Sequence, residues 1–90
     1  MSEFDNYYYR KAESGDKECQ FVIGLQYDLK TPISSLGFMK SDISALHWYR
    51  KSAEQVYPEA LFKVGQFYEE GRGDLNRNLE EAIRLYLFLF

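Results

Sequence analysis

The sequence has few of the residues that staple a small protein covalently or anchor it in a membrane. Cys19 is the single cysteine, which excludes a disulfide-rich secreted scaffold. No run of about 18 apolar residues is present, so no membrane span is expected. The acidic first residues lack the apolar segment of a signal peptide, and a cytoplasmic location is expected. Basic residues are also in the minority, with 11 Lys and Arg against 14 Asp and Glu, which argues against nucleic-acid binding.

Aromatic residues, by contrast, are abundant. One Trp, eight Tyr and seven Phe make up 18% of the 90 residues. The sequence therefore predicts one folded domain, residues 1–90, whose core contains many rings. His47 is the only histidine, whereas a metal or catalytic site needs a cluster of suitable side chains. No metal, cofactor or catalytic residue is expected, and Cys19 is interpreted as a small buried packing residue.

The chain repeats itself. Residues 7–28 align without a gap on residues 48–69, with seven identities in 22 positions. Residues 45–49 align in turn on residues 82–86, at an offset of 37 rather than 41. A unit of 37 to 41 residues has the length of a helical-hairpin repeat.

Local signals divide each unit into two helices. Ser41 and Asn78 are good N-caps, and Pro58 suits a first helical turn. Gly71 and Gly73 can end a helix, because glycine tolerates the left-handed conformation. The sequence predicts no strand and five helices, at residues 3–13, 17–29, 42–55, 58–70 and 78–90.

Two glycines occupy matched positions inside predicted helices, where each costs about 1 kcal/mol relative to alanine. Gly24 and Gly65 fall at the same register of the repeat. The match predicts that a partner helix crosses closely at each glycine, with Ala45 or Ala82 opposite. The remaining space would be filled by tyrosine rings, those of Tyr27, Tyr49, Tyr68 and Tyr86.

The spaced small and aromatic residues resemble a known family. The pattern A-x-F-x-V-G-x-x-Y-x-x-G-x-G at residues 60–73, followed by A-x-x-L-Y at residues 82–86, is similar to the Sel-like repeat, a relative of the tetratricopeptide repeats. The resemblance covers residues 4–90. It implies an all-α right-handed superhelix, a solenoid of about two helical hairpins plus a preceding helix. Residues 3–13 would be the second helix of a preceding repeat, residues 17–55 repeat one, and residues 58–90 repeat two, incomplete at its C-terminus.

One loop departs from the family pattern. Residues 30–40 lack the paired glycines and contain four additional residues.

The resemblance implies a role in assembling or scaffolding protein complexes, and the leading hypothesis is a non-catalytic module that binds protein partners. Solenoids present an inner surface lined mainly by the first helix of each hairpin. By analogy with tetratricopeptide repeats, the groove candidates are Phe21, Leu25, Asp28, Phe62, Gln66 and Glu69.

The character of that groove suggests its ligand. A peptide or helix with basic and apolar residues would fit an acidic, aromatic surface. For Phe21 and Phe62, a position in the core is the alternative. The tripeptide Arg72-Gly73-Asp74 matches an integrin-binding motif, but its place on a repeat loop favours a turn role.

Two other functions remain open at this point. Cysteine-rich relatives of the family have been linked to β-lactam binding or hydrolysis, but they carry a cysteine pair in each repeat. Hydrolysis of a chromogenic β-lactam would distinguish such an enzyme from a binding module. The other alternative is a truncated fragment without an independent role, because about three repeats are usually needed for a stable stack.

The last predicted helix ends in six consecutive apolar residues. One partner helix can bury only one stripe of them, expected to run through Ala82, Ile83, Tyr86 and Phe90. A missing downstream repeat, self-association and a docked partner are the competing explanations for the rest. Truncation is favoured, followed by self-association through this helix. The candidate C-terminal contact surface consists of Leu85, Leu87, Phe88 and Leu89.

Overall fold

Five helices follow one another along the chain in a computed structural model, which describes residues 3–28 and 40–89. No strand is present in these two ranges, and the all-α prediction is confirmed. α3 ends earlier than residue 55, and α5 ends earlier than residue 90. The predicted long loop at residues 30–40 lies, apart from Lys40, outside the described residues. The helices are α1 (Glu3–Glu13), α2 (Lys17–Asp28), α3 (Asp42–Ala53), α4 (Pro58–Glu70) and α5 (Leu79–Phe88).

The predicted caps determine where the helices begin and end. The Ser41 side chain accepts a hydrogen bond from the backbone N–H of Ser44, and Asn78 accepts one from Glu81. Each bond satisfies an N–H group that has no partner within its helix. Gly71 ends α4 in the left-handed conformation, with φ of 66°. α3 stops short of its predicted end because the N–H groups of Gln55 and Val56 bond to carbonyls three residues back instead of four, which is a tighter turn than an α-helix makes. Val56 then takes a φ of 60°.

Each helix packs mainly against its neighbours in the chain. α1 contacts α2, α2 contacts α3, α3 contacts α4, and α4 contacts α5. The resulting stack measures 41 × 23 × 16 Å. Such an elongated arrangement of sequential contacts is the architecture of a solenoid.

Aromatic rings fill the main core between α3 and α4. Its fully buried centre is the Tyr49 ring, whose centroid lies 5.7 Å from that of Phe67 in an edge-to-face arrangement. Edge-to-face pairs of this kind are favourable because the ring edge is positive and the ring face negative. We call this the central core; its buried members are Ala45, Leu46, Tyr49, Val64 and Phe67.

A second buried cluster joins α1, α2 and α3. It contains Ala12, Cys19, Ile23 and Trp48. The predicted burial of Cys19 is confirmed, and burial raises the pKa of its thiol to about 11. The thiol is therefore protonated at neutral pH and acts as a small packing group.

The two matched glycines do mark close approaches, but the residues opposite them are not alanines. A Cβ atom on Gly24 would lie 2.6 Å from a ring carbon of Tyr49, and one on Gly65 would lie 2.6 Å from a ring carbon of Tyr86. The prediction of Ala45 or Ala82 opposite was wrong. A tyrosine ring standing over the partner helix takes up the space a Cβ would need, while Ala45 packs in the central core.

The buried face of α5 also differs from its prediction. Ala82 is buried, and Leu85 packs against the central core. Ile83, in contrast, is 54% exposed, so its predicted burial was wrong. The reason is that α4 covers only one side of α5, and no other described helix covers the side on which Ile83 lies. Phe90 lies outside the described residues.

Candidate functional site

A shallow apolar depression lies between α4, the start of α2 and the end of α5. Its volume is about 390 Å³. It brings together two of the predicted groove residues and one residue of the predicted C-terminal contact surface. The lining residues are Phe21, Pro58, Glu59, Phe62, Lys63 and Leu89.

The two phenylalanines of this depression have different environments. Phe21 is half-buried and forms its floor, with ring centroids 5.6 Å from Tyr49 and 5.4 Å from Tyr57. Phe62 is 47% exposed and contacts Tyr86, the two centroids being 5.5 Å apart. Phe62 therefore lies at the surface rather than in the core, and Phe21 supports the depression from below.

The other predicted groove residues do not line the depression. Leu25 packs against the central core. Gln66 is half-buried and Glu69 is exposed, both on α4. Their part in binding a ligand stays a prediction.

Asp28 is held in a network of ion pairs. Its carboxylate lies 2.5 Å from a guanidinium nitrogen of Arg72 and 3.8 Å from the Lys63 ammonium. The Tyr49 hydroxyl donates a 2.8 Å hydrogen bond to the same carboxylate. Arg72 also reaches Asp42, at 2.8 Å. We call the Arg72, Asp28 and Asp42 arrangement the Arg72 clasp, because it joins the turn after α4 to the end of α2 and the start of α3.

The clasp shifts the pKa of each group in it. Burial alone would raise the pKa of Asp28, but hydrogen bonds from Arg72 and Tyr49 outweigh it and the pKa is lowered. The hydrogen bond from Arg72 likewise lowers the pKa of Asp42. Burial first, and then the Asp28 carboxylate, raise the pKa of the Tyr49 hydroxyl. Asp28 is therefore ionised at neutral pH, with its charge compensated by Arg72 and Lys63. The expected acidic character of the groove is cancelled at this position.

The sequence pattern assigns Arg72 to a turn and does not identify it as a residue that contacts other helices. Its guanidinium carbon lies 4.1 Å from the Phe67 ring centroid, a favourable cation–π distance. A Cβ on the neighbouring Gly73 would lie 3.1 Å from Leu46, so the whole turn packs against α3. The available signal was the placement of one arginine between two turn glycines, since a tight turn fixes the direction of that side chain. The integrin-like tripeptide is thus part of the packing between repeats.

The predicted C-terminal contact surface divides into half-buried and exposed members. Leu85 packs on the central core and Leu89 lines the depression. Leu87 and Phe88 are 65% and 63% exposed. Leu79, Ile83 and Leu87, all exposed and spaced four residues apart, form one apolar line along α5. We call this line the α5 stripe.

Residues suited to other chemistry are not grouped. Within the described residues, no three His, Cys, Asp or Glu side chains are placed to hold a metal ion. His47 is exposed on α3, with its ring centroid 5.4 Å from that of Trp48. No described helix combines the length and apolar character that a membrane span requires.

The comparisons with known proteins agree with one another. The family model of the Sel1 repeat matches residues 35–57 and 58–87. A crystal structure of a Sel1 repeat protein from Oxalobacter formigenes superposes with a TM-score of 0.80 and 36% identity, over 93% of this chain and 32% of that one. A protective antigen of uropathogenic Escherichia coli with an SLR fold gives a TM-score of 0.80 and 27% identity, over 93% of this chain and 17% of that one.

A curated relative extends the similarity to a regulator. The chitin synthase regulator SKT5 of Saccharomyces cerevisiae is 32% identical over 81 residues, which is 90% of this chain. The matched region is 11% of the length of that regulator. The chain thus spans a minor part of each of these three proteins.

Proposed function

The chain belongs to the Sel1 repeat family, and on that premise we propose that it is a non-catalytic module that binds a protein segment in the depression between α2 and α4. The observation that carries this proposal is the exposed Phe62 ring standing beside the half-buried floor made by Phe21. An aromatic residue at the surface of an apolar depression is a typical anchor for a partner side chain.

The charges beside the depression indicate the chemistry of the ligand. Lys63 is drawn toward Asp28, whereas Glu59 is exposed and has no ion pair within the described ranges. An apolar side chain would insert between the two phenylalanines, and a basic neighbour would pair with Glu59. The preferred ligand is therefore a peptide or helix with an apolar anchor next to a Lys or Arg.

The relatives support a role in interaction. The yeast protein is named a regulator of chitin synthase, and a regulatory role is consistent with binding a protein partner. The proposed organisation is α1 as the second helix of one repeat, residues 17–55 as the next repeat, and residues 58–90 as a further one. The family match begins a new repeat at residue 58, which supports the last boundary.

The binding role can be tested by replacing Phe62. Immobilised Phe62→Ser chain is expected to retain at least about fivefold less of the specific partner than the unmodified chain, because the anchor contact is lost. The measurement is affinity capture from a lysate with quantitative mass spectrometry, and thermal melting verifies that the variant is folded. Ile43→Ser is the matched control, since it removes an exposed apolar side chain of α3 outside the depression. Equal capture by the two variants would contradict the proposal.

The α5 stripe leads to a prediction about self-association. Contiguous exposed apolar side chains promote association in water, so the isolated chain is expected to associate at micromolar concentration. Replacing Leu87 by Glu together with Phe88 by Lys is expected to yield a monomer, whereas Ile43→Glu, an exposed apolar position on α3, is expected to leave association unchanged. Sedimentation velocity measures this directly. A monomeric unmodified chain at these concentrations would show that the prediction is wrong.

A further inference from the structure

In the contact between α3 and α4, the second helix of one repeat packs against the first helix of the next repeat. Leu46 of α3 is 2% exposed and is buried in the central core together with Val64 and Phe67 of α4. In the repeat alignment, Ile83 of α5 corresponds to Leu46, yet it is 54% exposed. The two residues differ in exposure because no described helix lies on α5 in the position that α4 occupies on α3.

The repeat alignment also relates the carboxylates and tyrosines of the two repeats. Asp28 corresponds to Glu69, and Tyr49 corresponds to Tyr86. Glu69 lies close enough to the Tyr86 hydroxyl to raise its pKa, after burial as the larger cause. Asp28 is paired with Arg72, whereas no cation of the described residues lies within 4.0 Å of the Glu69 carboxylate. In addition to the uncovered α5 stripe, the molecule therefore has a carboxylate, that of Glu69, with no ion-pair partner among the described residues.

We propose that the α5 stripe together with Glu69 binds an amphipathic helix of a partner protein that resembles α4 and carries an arginine in the turn after its last residue. Apolar residues of that helix would cover Ile83 and the open side of Tyr86, as Val64 and Phe67 cover Leu46 and Tyr49. Its arginine would pair with Glu69. This inference rests on the proposed function, since it assigns a second protein-binding surface to the same module.

A folded second copy of this chain does not provide such a helix. The apolar face of α4 is already buried against α3, and its Arg72 is already paired with Asp28 and Asp42. α2 is covered by α1 on one side and α3 on the other. The self-association expected above is therefore contact between uncovered stripes, and the proposed helix would compete with it.

Because α4 itself has the required pattern, a peptide copy of it is a suitable probe. The peptide spans residues 57–75, and a side-chain lactam between its Glu59 and Lys63, one turn apart on the side of α4 that lines the depression, holds it helical. Fluorescence anisotropy with the labelled peptide and the full 90-residue chain is expected to give saturable, micromolar binding. Saturating peptide is also expected to reduce self-association of the chain in sedimentation velocity.

Variants of both partners identify the site. Ile83→Glu is expected to weaken peptide binding at least about tenfold, because it places a charge in the apolar contact. Glu69→Gln is expected to weaken binding about two- to fivefold, and the peptide with Arg72→Gln is expected to show the same loss. Combining the two changes is expected to add no further loss. Ile43→Glu is the matched control and is expected to bind the peptide normally.

Four results would overturn the inference. They are absence of binding by a peptide shown to be helical, insensitivity to Ile83→Glu, insensitivity to both charge changes, and stripe-dependent self-association that saturating peptide does not reduce. Insensitivity to Ile83→Glu would indicate that the peptide exchanges with α4, and persistent association would indicate a second copy as the occupant. Capture of a partner that depends on Phe62 but not on Ile83 would retain the proposed function while this inference fails.

Discussion

Replacing Arg72 by Gln is expected to lower the free energy of unfolding by about 2–3 kcal/mol. The substitution removes the closest cation from Asp28, whose side chain is 9% exposed, and breaking a buried ion pair on one side leaves an uncompensated charge. The Arg72 side chain is 24% exposed. The expected loss of stability is therefore smaller than the loss from breaking a fully buried ion pair. For a chain of this size the loss corresponds to roughly 10–20 °C in Tm.

The pH dependence of this loss distinguishes the ion pairs from simple packing. The pKa values of Asp28 and Asp42 are lowered from 3.8 in the folded chain. Their contribution to stability is therefore complete above the unfolded-state pKa and disappears as the pH falls through the lower folded-state values. The difference in unfolding free energy between the unmodified chain and Arg72→Gln is expected to be constant near neutrality and to shrink below about pH 4.

Urea unfolding at several pH values provides the measurement. Arg77→Gln is the matched control, because Arg77 is exposed and donates to the backbone carbonyl of Glu69 rather than to a carboxylate. That variant is expected to unfold like the unmodified chain at each pH. If Arg72→Gln lost the same stability at pH 3 as at pH 7, packing of Arg72 on Phe67 would account for the loss and the ion pairs would not.

Substituting Gly24 is expected to have a comparably large effect. A Cβ at this position would lie 2.6 Å from Tyr49, and that ring cannot move aside because Phe21, Phe67 and the hydrogen bond to Asp28 hold it. Gly24→Leu is expected to destabilise the chain by about 3 kcal/mol through overpacking. Gly24→Ala is expected to cost about 1–2 kcal/mol net, even though alanine favours the helix by about 1 kcal/mol.

The second hairpin serves as an internal comparison. Gly65→Leu is expected to cost about 1–3 kcal/mol, and Gly65→Ala less than Gly24→Ala, because Tyr86 is only half-buried and can shift. In a Tyr49→Leu background the ring is absent, so Gly24→Ala is expected to become stabilising. Thermal and urea unfolding of the four glycine variants, of Tyr49→Leu and of the double variant provide the check. An increase in Tm for Gly24→Ala in the unmodified background would contradict close packing on Tyr49.

The sequence predicts the helices well because their ends depend on local chemistry. Ser41, Asn78 and Gly71 act through backbone groups a few residues away, which a sequence pattern reveals directly. The matched glycines also predict a close approach correctly, but the group opposite them depends on how two helices cross. A repeat register shows that space is short at a position without showing which side chain takes it up.

The features missed by sequence reasoning depend on distant contacts. Arg72 pairs with carboxylates 30 and 44 residues earlier in the chain, and a turn motif carries no information about such partners. Ile83 belongs to an apolar helix face by its spacing, yet its exposure depends on whether another helix covers it. Phe62 has the same residue type as Phe21, but Phe21 packs beside two rings, Tyr49 and Tyr57, whereas Phe62 packs beside Tyr86 and stays 47% exposed.

The glycine–tyrosine contacts have a consequence for how such chains grow. Gly24 contacts Tyr49 and Gly65 contacts Tyr86, so both members of each pair belong to the same hairpin. The first pair is four residues further apart in the chain than the second, and the contact is nevertheless kept. A duplication of one hairpin would therefore copy both the glycine and the tyrosine that packs on it. A change in loop length within the hairpin would leave this contact intact. For this contact, a hairpin can be gained or lost without a compensating mutation in another hairpin, in contrast to the Arg72 clasp, which joins residues of two hairpins.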